Sequence, residues 1–250
     1  MSIVRRTRWT AVAVLIGAAS VALAAAPPLL SDGGFDGSTT SKLLRRNTKG
    51  QDWYESRYDV KGSRAMLKLD KTAIAGNATP KARIDGSAKF NTYLTQKFVK
   101  AQKTDFSFSC DICVQSIDPS FNRSAFILIG NDADKKNGPN STGNERFVFL
   151  GFENSATKGK MNLFARQGKG AWEQRTVIAR DLDLGRWYTI EGTVYPADGI
   201  YEVLVRSVTP KPVELKAFGR APKTLTAISF ASWNDGPGTF YVDNVSASGE

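Results

Sequence analysis

Thr104-Asp-Phe-Ser-Phe-Ser-Cys-Asp-Ile-Cys-Val-Gln115 alternates apolar and polar residues over its whole length. In an extended chain Phe106, Phe108, Cys110, Ile112 and Val114 fall on one side, and Ser107, Ser109, Asp111, Cys113 and Gln115 on the other. A period of two is that of a β-strand with one face in a core and one turned outward. The same pattern, separated by Gly, Asn, Asp and Pro, recurs on both sides of this stretch. It predicts strands over residues 125–129, 145–152, 160–166, 186–195, 200–208, 225–233 and 239–247, with weaker ones near Phe35, Trp53, 65–69 and 93–98. No segment after residue 26 reads as a long amphipathic helix. About a dozen short strands without a linker or internal repeat predict one all-β antiparallel sandwich over residues 25–250.

The N-terminus differs from the rest. Arg5, Arg6 and Arg8 precede an apolar run from Trp9 to Ala26 that closes in Ala22-Leu-Ala24 before Pro27 and Pro28. A basic start, a short Ala-rich apolar centre and small residues at the end predict a secretory signal peptide over residues 1–24. The run is short for a membrane anchor, so the expected mature chain has no membrane span and works outside the cytoplasm, extracellular or periplasmic.

Composition narrows the chemistry. The 250 residues carry 34 Lys and Arg against 24 Asp and Glu, a formal charge of +10, with no histidine and two cysteines. Without an imidazole, Ser-His-Asp and Cys-His catalysis are ruled out, and most zinc sites need His or several Cys. The positive charge suits anionic polymers such as acidic polysaccharides, but Lys and Arg are spread along the chain and there is no dedicated nucleic-acid motif. Cys110 and Cys113 are three apart in the predicted strand, so their Cα atoms should lie ~10 Å apart and on opposite faces. That exceeds the reach of a disulfide and makes Cys110 a small core residue. Asn77, Asn122, Asn140 and Asn244 begin formal glycosylation sequons. The longest evident loop, 131–144, carries Asp132 and Asp134 but lacks the spacing of a calcium-binding loop.

Gly34-Phe-Asp-Gly37, Gly185-Arg-Trp-Tyr-Thr-Ile-Glu191, Tyr201-Glu-Val-Leu-Val205 and Gly238-Thr-Phe-Tyr-Val-Asp-Asn-Val245 together resemble the concanavalin A-like, or laminin G-like, jelly rolls. The resemblance covers nearly the whole chain after residue 24. It implies two stacked curved sheets, first and last strands side by side, and a carbohydrate groove on the concave sheet. It also implies a structural calcium where the first segment meets the last strand, matching Asp36 and Asp243, with Asp32 nearby; carboxylate oxygens suit such a cation. Turn and edge hydrogen bonds are the other reading of these aspartates. The superfamily includes lectins, binding modules, hydrolases and lyases, so the fold alone does not assign an activity.

Among residues that could contact a glycan, Trp233-Asn234-Asp235 at a strand end offers an aromatic ring beside polar groups. Asp111, Arg146, Asn162, Arg166 and Glu191 fall on polar faces of predicted strands. A glycosidase needs two carboxyls about 5–9.5 Å apart. Glu145 and Glu153 are ~26 Å apart along a strand, and Asp181 and Asp183 precede Gly185 in what reads as a turn. The Glu-x-Asp-x-Glu strand of the laminarinase-type members is missing. A β-eliminating lyase would need Arg146, Asn162 or Arg166 to neutralise a uronate and a base such as Tyr195 or Tyr241, but the strand motifs of the alginate lyases are absent. The expectation is a secreted carbohydrate-binding or cell-surface protein without catalysis, its partner a polysaccharide, neutral or acidic. The alternatives are a polysaccharide lyase or hydrolase, and a structural or adhesive surface protein.

Overall fold

The computed structural model describes residues 26–35, 53–55, 66–131, 145–168, 175–219 and 222–249. The predicted signal peptide, Asp36 and the loop from Asp132 to Asn144 lie outside the described residues. Fourteen strands form two antiparallel sheets, and no helix is present among the described residues. In order they are β1 (Tyr54–Glu55), β2 (Leu67–Asp70), β3 (Lys81–Ile84), β4 (Thr92–Gln102), β5 (Phe106–Ile117), β6 (Ser124–Gly130) and β7 (Arg146–Asn154). They continue with β8 (Lys160–Arg166), β9 (Arg175–Asp183), β10 (Trp187–Tyr195), β11 (Ile200–Val205), β12 (Val213–Lys216), β13 (Leu225–Ser232) and β14 (Gly238–Gly249). Sheet one runs β1-β4-β13-β6-β7-β8-β9 and sheet two runs β12-β11-β10-β5-β14-β3-β2. This is the jelly-roll sandwich that the alternation and the resemblance led us to expect.

Alternation explains the main core directly. Phe106, Phe108, Cys110, Ile112 and Val114 of β5 are all buried between the sheets, facing Ile127, Ile129, Leu150, Phe152, Leu163 and Phe230 in the same cluster. Gly192 is the register partner of Phe108 on β10; a Cβ there would sit 2.5 Å from the Phe108 ring. The missing side chain is what admits the ring. Phe35 stacks on Trp53 at 4.9 Å between centroids, and Trp53 packs at 5.9 Å from Phe230, so Trp53 is a core residue.

The first described segment ties the sheets together. Pro28 pairs with Ser248 of β14, Leu29 N donates to Ala247 O at 2.7 Å, and Val99 N of β4 donates to Leu29 O at 2.8 Å. Val245 N then donates to Gly33 O at 2.7 Å. The segment from Pro28 to Gly33 thus lies beside the last strand and bridges it to β4.

Strands β3 and β12, four residues each, are too short to be marked in the sequence, and β9 carries a broken alternation. The expected turn at Asp181 and Asp183 is corrected by β9, which runs through both residues to Asp183. Its pattern is broken because Asp181 takes a left-handed conformation (φ 53°) and the register with β8 shifts twice. These irregularities move Ile178, Ala179 and Leu182 inward out of period two.

Candidate functional site

Sheet one is apolar on both faces. Besides the main core, its outer face carries a second cluster of Tyr93, Phe126, Leu128, Phe149, Phe164, Phe218, Ala231 and Trp233, all buried. The register explains the arrangement. Thr95, Ser229, Leu128 and Phe149 are successive partners across β4, β13, β6 and β7, and Arg166 pairs with Arg175 across β8 and β9. Tyr93, Ala231 and Phe126 begin the next row, which continues through Gly151 and its partner Phe164. The rings of Phe126 and Phe164 close over Gly151, since a Cβ there would meet Phe126 Cδ1 and Phe164 Cζ at 2.8 Å each.

Trp233 lies just beyond β13 and its ring packs 4.3 Å from Phe126 and 5.7 Å from Phe149. Phe218 comes from the connection that follows β12. A bulge leaves Phe147 between the partners Val148 and Arg146 of β6 residues, and its carbonyl accepts the Phe218 N–H at 3.0 Å. Phe218 thereby packs edge-on at 5.1 Å from Phe149.

Guanidinium groups lie over this aromatic layer. Arg146 Cζ is 5.0 Å from the Trp233 ring and 5.3 Å from Phe149. Arg166 Cζ is 5.2 Å from Phe149 and 4.8 Å from Phe218, and Arg175 Cζ is 5.8 Å from Phe164. At such distances the ring quadrupole attracts the cation, by about 0.5–2 kcal/mol each. Burial lowers the pKa of Arg146 from its ordinary value, while Tyr93 and Glu145 oppose that shift. Tyr93 belongs to the aromatic cluster over which Arg146 lies.

Of the residues singled out in the sequence, Trp233, Arg146 and Arg166 come together around Phe149. Asn162 shares their strand face but accepts the Asp181 N–H at 3.1 Å. Asn234 donates its backbone N–H to Asn91 Oδ1 at 2.6 Å, and Asp235 pairs with Arg123 at 2.6 Å. Both hold the turn that carries Trp233.

Asp111 and Glu191 lie on sheet two, away from this group. Asp111 accepts from Thr189 Oγ1 at 2.6 Å and Asn244 Nδ2 at 2.8 Å; Glu191 is paired with Arg206. Glu191 borders a groove of about 280 Å³ on the outer face of sheet two, with Ser107, Ser109, Thr193, Glu202 and Ser246. Tyr195, hydrogen-bonded to Glu202, and Tyr241, 5.8 Å from Arg83, are also on sheet two. Neither shares a sheet with Arg146 and Arg166.

Asp243 is buried, and its oxygens face hydrogen-bond donors. Oδ2 lies 2.8 Å from Asn77 Nδ2 and 2.6 Å from Thr79 Oγ1, and Oδ1 accepts the Asn244 N–H at 2.8 Å. Asn77 Oδ1 takes the Thr79 N–H at 2.9 Å, so the carboxylate fastens the loop before β3 to the last strand. A cation at Asp243 would compete with these donors. No group of three His, Cys, Asp or Glu side chains suited to a metal occurs among the described residues.

Sequence reasoning missed Phe126, Phe149, Phe164, Phe218 and Tyr93. A signal was present for the first two. Phe126-Ile-Leu-Ile129 and Phe147-Val-Phe-Leu150 are unbroken apolar runs, the mark of a strand covered on both faces. Phe218 carried none, because it reaches sheet one from another part of the chain.

No family model and no curated protein matches the sequence. Solved structures do resemble it in shape. A sialidase superposes with a TM-score of 0.55 at 15% identity over 88% of this chain, which spans 18% of the sialidase chain. A carbohydrate-binding module from Bacillus subtilis gives 0.43 at 14% identity, covering 79% of this chain and 95% of the module. An alginate lyase from Pseudomonas aeruginosa gives 0.46 at 12%, covering 68% and 83%. At these identities the likeness concerns the fold, a concanavalin A-like jelly roll.

Proposed function

We propose that this chain is an exported polysaccharide-binding protein that holds its ligand on the outer face of sheet one. The observation that carries the reading is the layer of Arg146 and Arg166 over Trp233, Phe149 and Phe218. Polysaccharide recognition needs directional donors held in place beside the ligand; the buried rings fix the two guanidiniums from beneath, and the guanidiniums supply the donors. Guanidinium forks also match the geometry of carboxylate and sulfate groups, so the favoured ligand is an acidic polysaccharide. The positive charge of the whole chain acts in the same direction.

Retention of the full chain on immobilised alginate and polygalacturonate, compared with cellulose and mannan, tests the reading. Retention on the acidic polymers should weaken as salt rises and fall in Arg146→Ala and Arg166→Ala. Retention indifferent to both substitutions would refute it.

A second reading, β-elimination on a uronate polymer, is favoured by one observation, that Tyr93 sits in the aromatic cluster over which Arg146 lies. There the Tyr93 phenolate oxygen would take the proton from the carbon next to the carboxyl while Arg146 neutralised the carboxylate; as the double bond formed, the glycosidic C–O bond on the neighbouring carbon would break and the departing oxygen would take that proton back from Tyr93. Ultraviolet absorbance from a newly formed conjugated double bond during the same incubations would support catalysis. Retention without that absorbance supports binding alone.

A further inference from the structure

At the corner of sheet one, next to the aromatic layer, a cavity of about 170 Å³ opens between Phe121, Asn122, Arg123, Glu153, Phe164 and Arg175. Glu153, with its side chain 8% exposed, pairs with Arg175 at 2.7 Å. Arg123, on the other wall, pairs with Asp235 of the Trp233 turn at 2.6 Å. Two guanidiniums thus face two carboxylates, a balance unlike the cationic layer over Phe149. An anion here would compete with a carboxylate already in place, whereas a neutral ligand would leave no charge unpaired. An ionised carboxylate has about four acceptor sites, so Glu153 can accept from hydroxyls while it keeps Arg175.

The wall opposite is Phe121, 41% exposed. It sits on a short connection between β5 and β6 held by several hydrogen bonds. Phe121 N and Asn122 N both donate to Asp118 O, at 3.3 and 2.9 Å, Ser120 N donates to Asp118 Oδ1 at 2.8 Å, and Asn154 N donates to Asn122 Oδ1 at 2.9 Å. The exposed ring is therefore presented by a fixed backbone and loses little freedom on contact with a ligand. A flat apolar ring, a buried carboxylate, guanidiniums and an amide around a cavity smaller than those for drug-sized ligands form a set suited to one polyhydroxylated ring.

We infer that this corner cavity is a subsite for a single neutral sugar residue, with Phe121 against its C–H face and Glu153 and Arg175 on its hydroxyls. The inference rests on the polysaccharide-binding reading and deepens it: one ligand would present a neutral unit here and an acidic unit to Arg166. Glu153 is the register partner of Asn162, four residues before Arg166 on β8, which places the two points ~13 Å apart along the strand. A short oligosaccharide spans that distance.

Affinity measurement on the full chain tests it, with cellulose, mannan and galactan as neutral probes, alginate and polygalacturonate as acidic ones, and free glucose, mannose and galactose as competitors. Phe121→Ala should weaken binding to a neutral or mixed polymer roughly two- to tenfold, the worth of one ring contact, and Glu153→Gln should weaken it as well. Val208→Ala, at an exposed position elsewhere, should leave it unchanged. Competition by a free monosaccharide would identify a terminal sugar unit as the occupant, and competition only by oligomers an internal one; either supports the subsite. Binding of the unsubstituted chain that Phe121→Ala leaves intact would overturn the subsite and spare the broader reading. Binding to none of the polymers would overturn both.

Discussion

Replacing Gly151 by alanine adds one methyl group to the floor of the aromatic layer. The new Cβ would lie 2.8 Å from Phe126 Cδ1 and 2.8 Å from Phe164 Cζ. Favourable carbon contacts begin near ~3.5 Å, so each ring would have to retreat by ~0.7 Å. Phe126 has no open space behind it, being fully buried and packed 4.3 Å from Trp233 and 5.8 Å from Phe149, whereas Phe164, 1% exposed, can give way only toward the corner cavity it lines. Overpacking of this kind costs about 1–3 kcal/mol. Alanine in place of glycine restricts the unfolded chain and returns about 0.4–1 kcal/mol, and Gly151 has no positive φ to add strain. The expected net loss is about 1–2 kcal/mol. Urea unfolding followed by tryptophan fluorescence measures it, with the double variant Gly151→Ala/Phe164→Leu as a check. Relief of the crowding should make the double variant's loss smaller than the sum of the single losses by about 0.5 kcal/mol or more. A loss within about 0.5 kcal/mol, the range of ordinary surface substitutions, would refute the packing argument and with it the shared aromatic floor.

Further outcomes follow from the polar contacts. Asp243→Ala removes the buried acceptor of Asn77, Thr79 and the Asn244 amide; Thr79 and Asn244 are exposed and Asn77 half-buried, so these donors can turn to water and a loss of about 1–2 kcal/mol is expected in thermal or urea unfolding. Because Asp243 is already engaged by those donors, a calcium chelator should leave the melting temperature unchanged, and a fall of several degrees would reveal a cation there. Burial tends to raise the pKa of Asp85, but hydrogen bonds from Lys68 and Arg83 more than offset it and hold the pKa below the usual carboxylate value. A lowered folded-state pKa stabilises above the unfolded value of about 3.9 and loses that contribution as pH falls through the folded value. Since Lys68 and Arg83 are partly exposed, Asp85→Asn should cost only about 1 kcal/mol at neutral pH and flatten the acid limb of a stability-against-pH curve. Burial pushes the Cys113 thiol up to about 11 and that of Cys110 further. Thiolate alkylation at neutral pH should therefore fail on the folded chain and succeed at both cysteines in denaturant, as mass spectrometry would show.

The sandwich was legible wherever one strand face was polar. β5 and β10 reveal their period directly, and the motifs around Trp187 and Tyr241 fit the jelly roll. Sheet one was harder to read for a physical reason: both of its faces are apolar, so Phe126 and Phe149 sit in continuous runs whose parity says nothing about a second layer. Arg146, Arg166 and Trp233 could each be named from the sequence, but their meeting depends on a bulge at Phe147 and on Phe218 arriving from beyond β12. Asp111 and Glu191 show the opposite limit, since alternation shows that a residue points outward and not from which sheet. Tyr93 was hidden within a weak strand, and its place in the aromatic cluster depends on pairing with Ala231, distant in sequence.

The hydrogen bonds that join Pro28, Leu29 and Gly33 to β14 set the order in which the molecule can assemble. β14 lies between β5 and β3 in the middle of sheet two, so until it emerges during synthesis that sheet is in two parts and the segment from Pro28 to Gly33 has only its contacts to β4. Contacts so far apart in sequence close slowly, because the loop entropy is lost before the contacts are gained. A chain cut before Gly238 should thus yield no smaller folded domain but an open, protease-sensitive polymer.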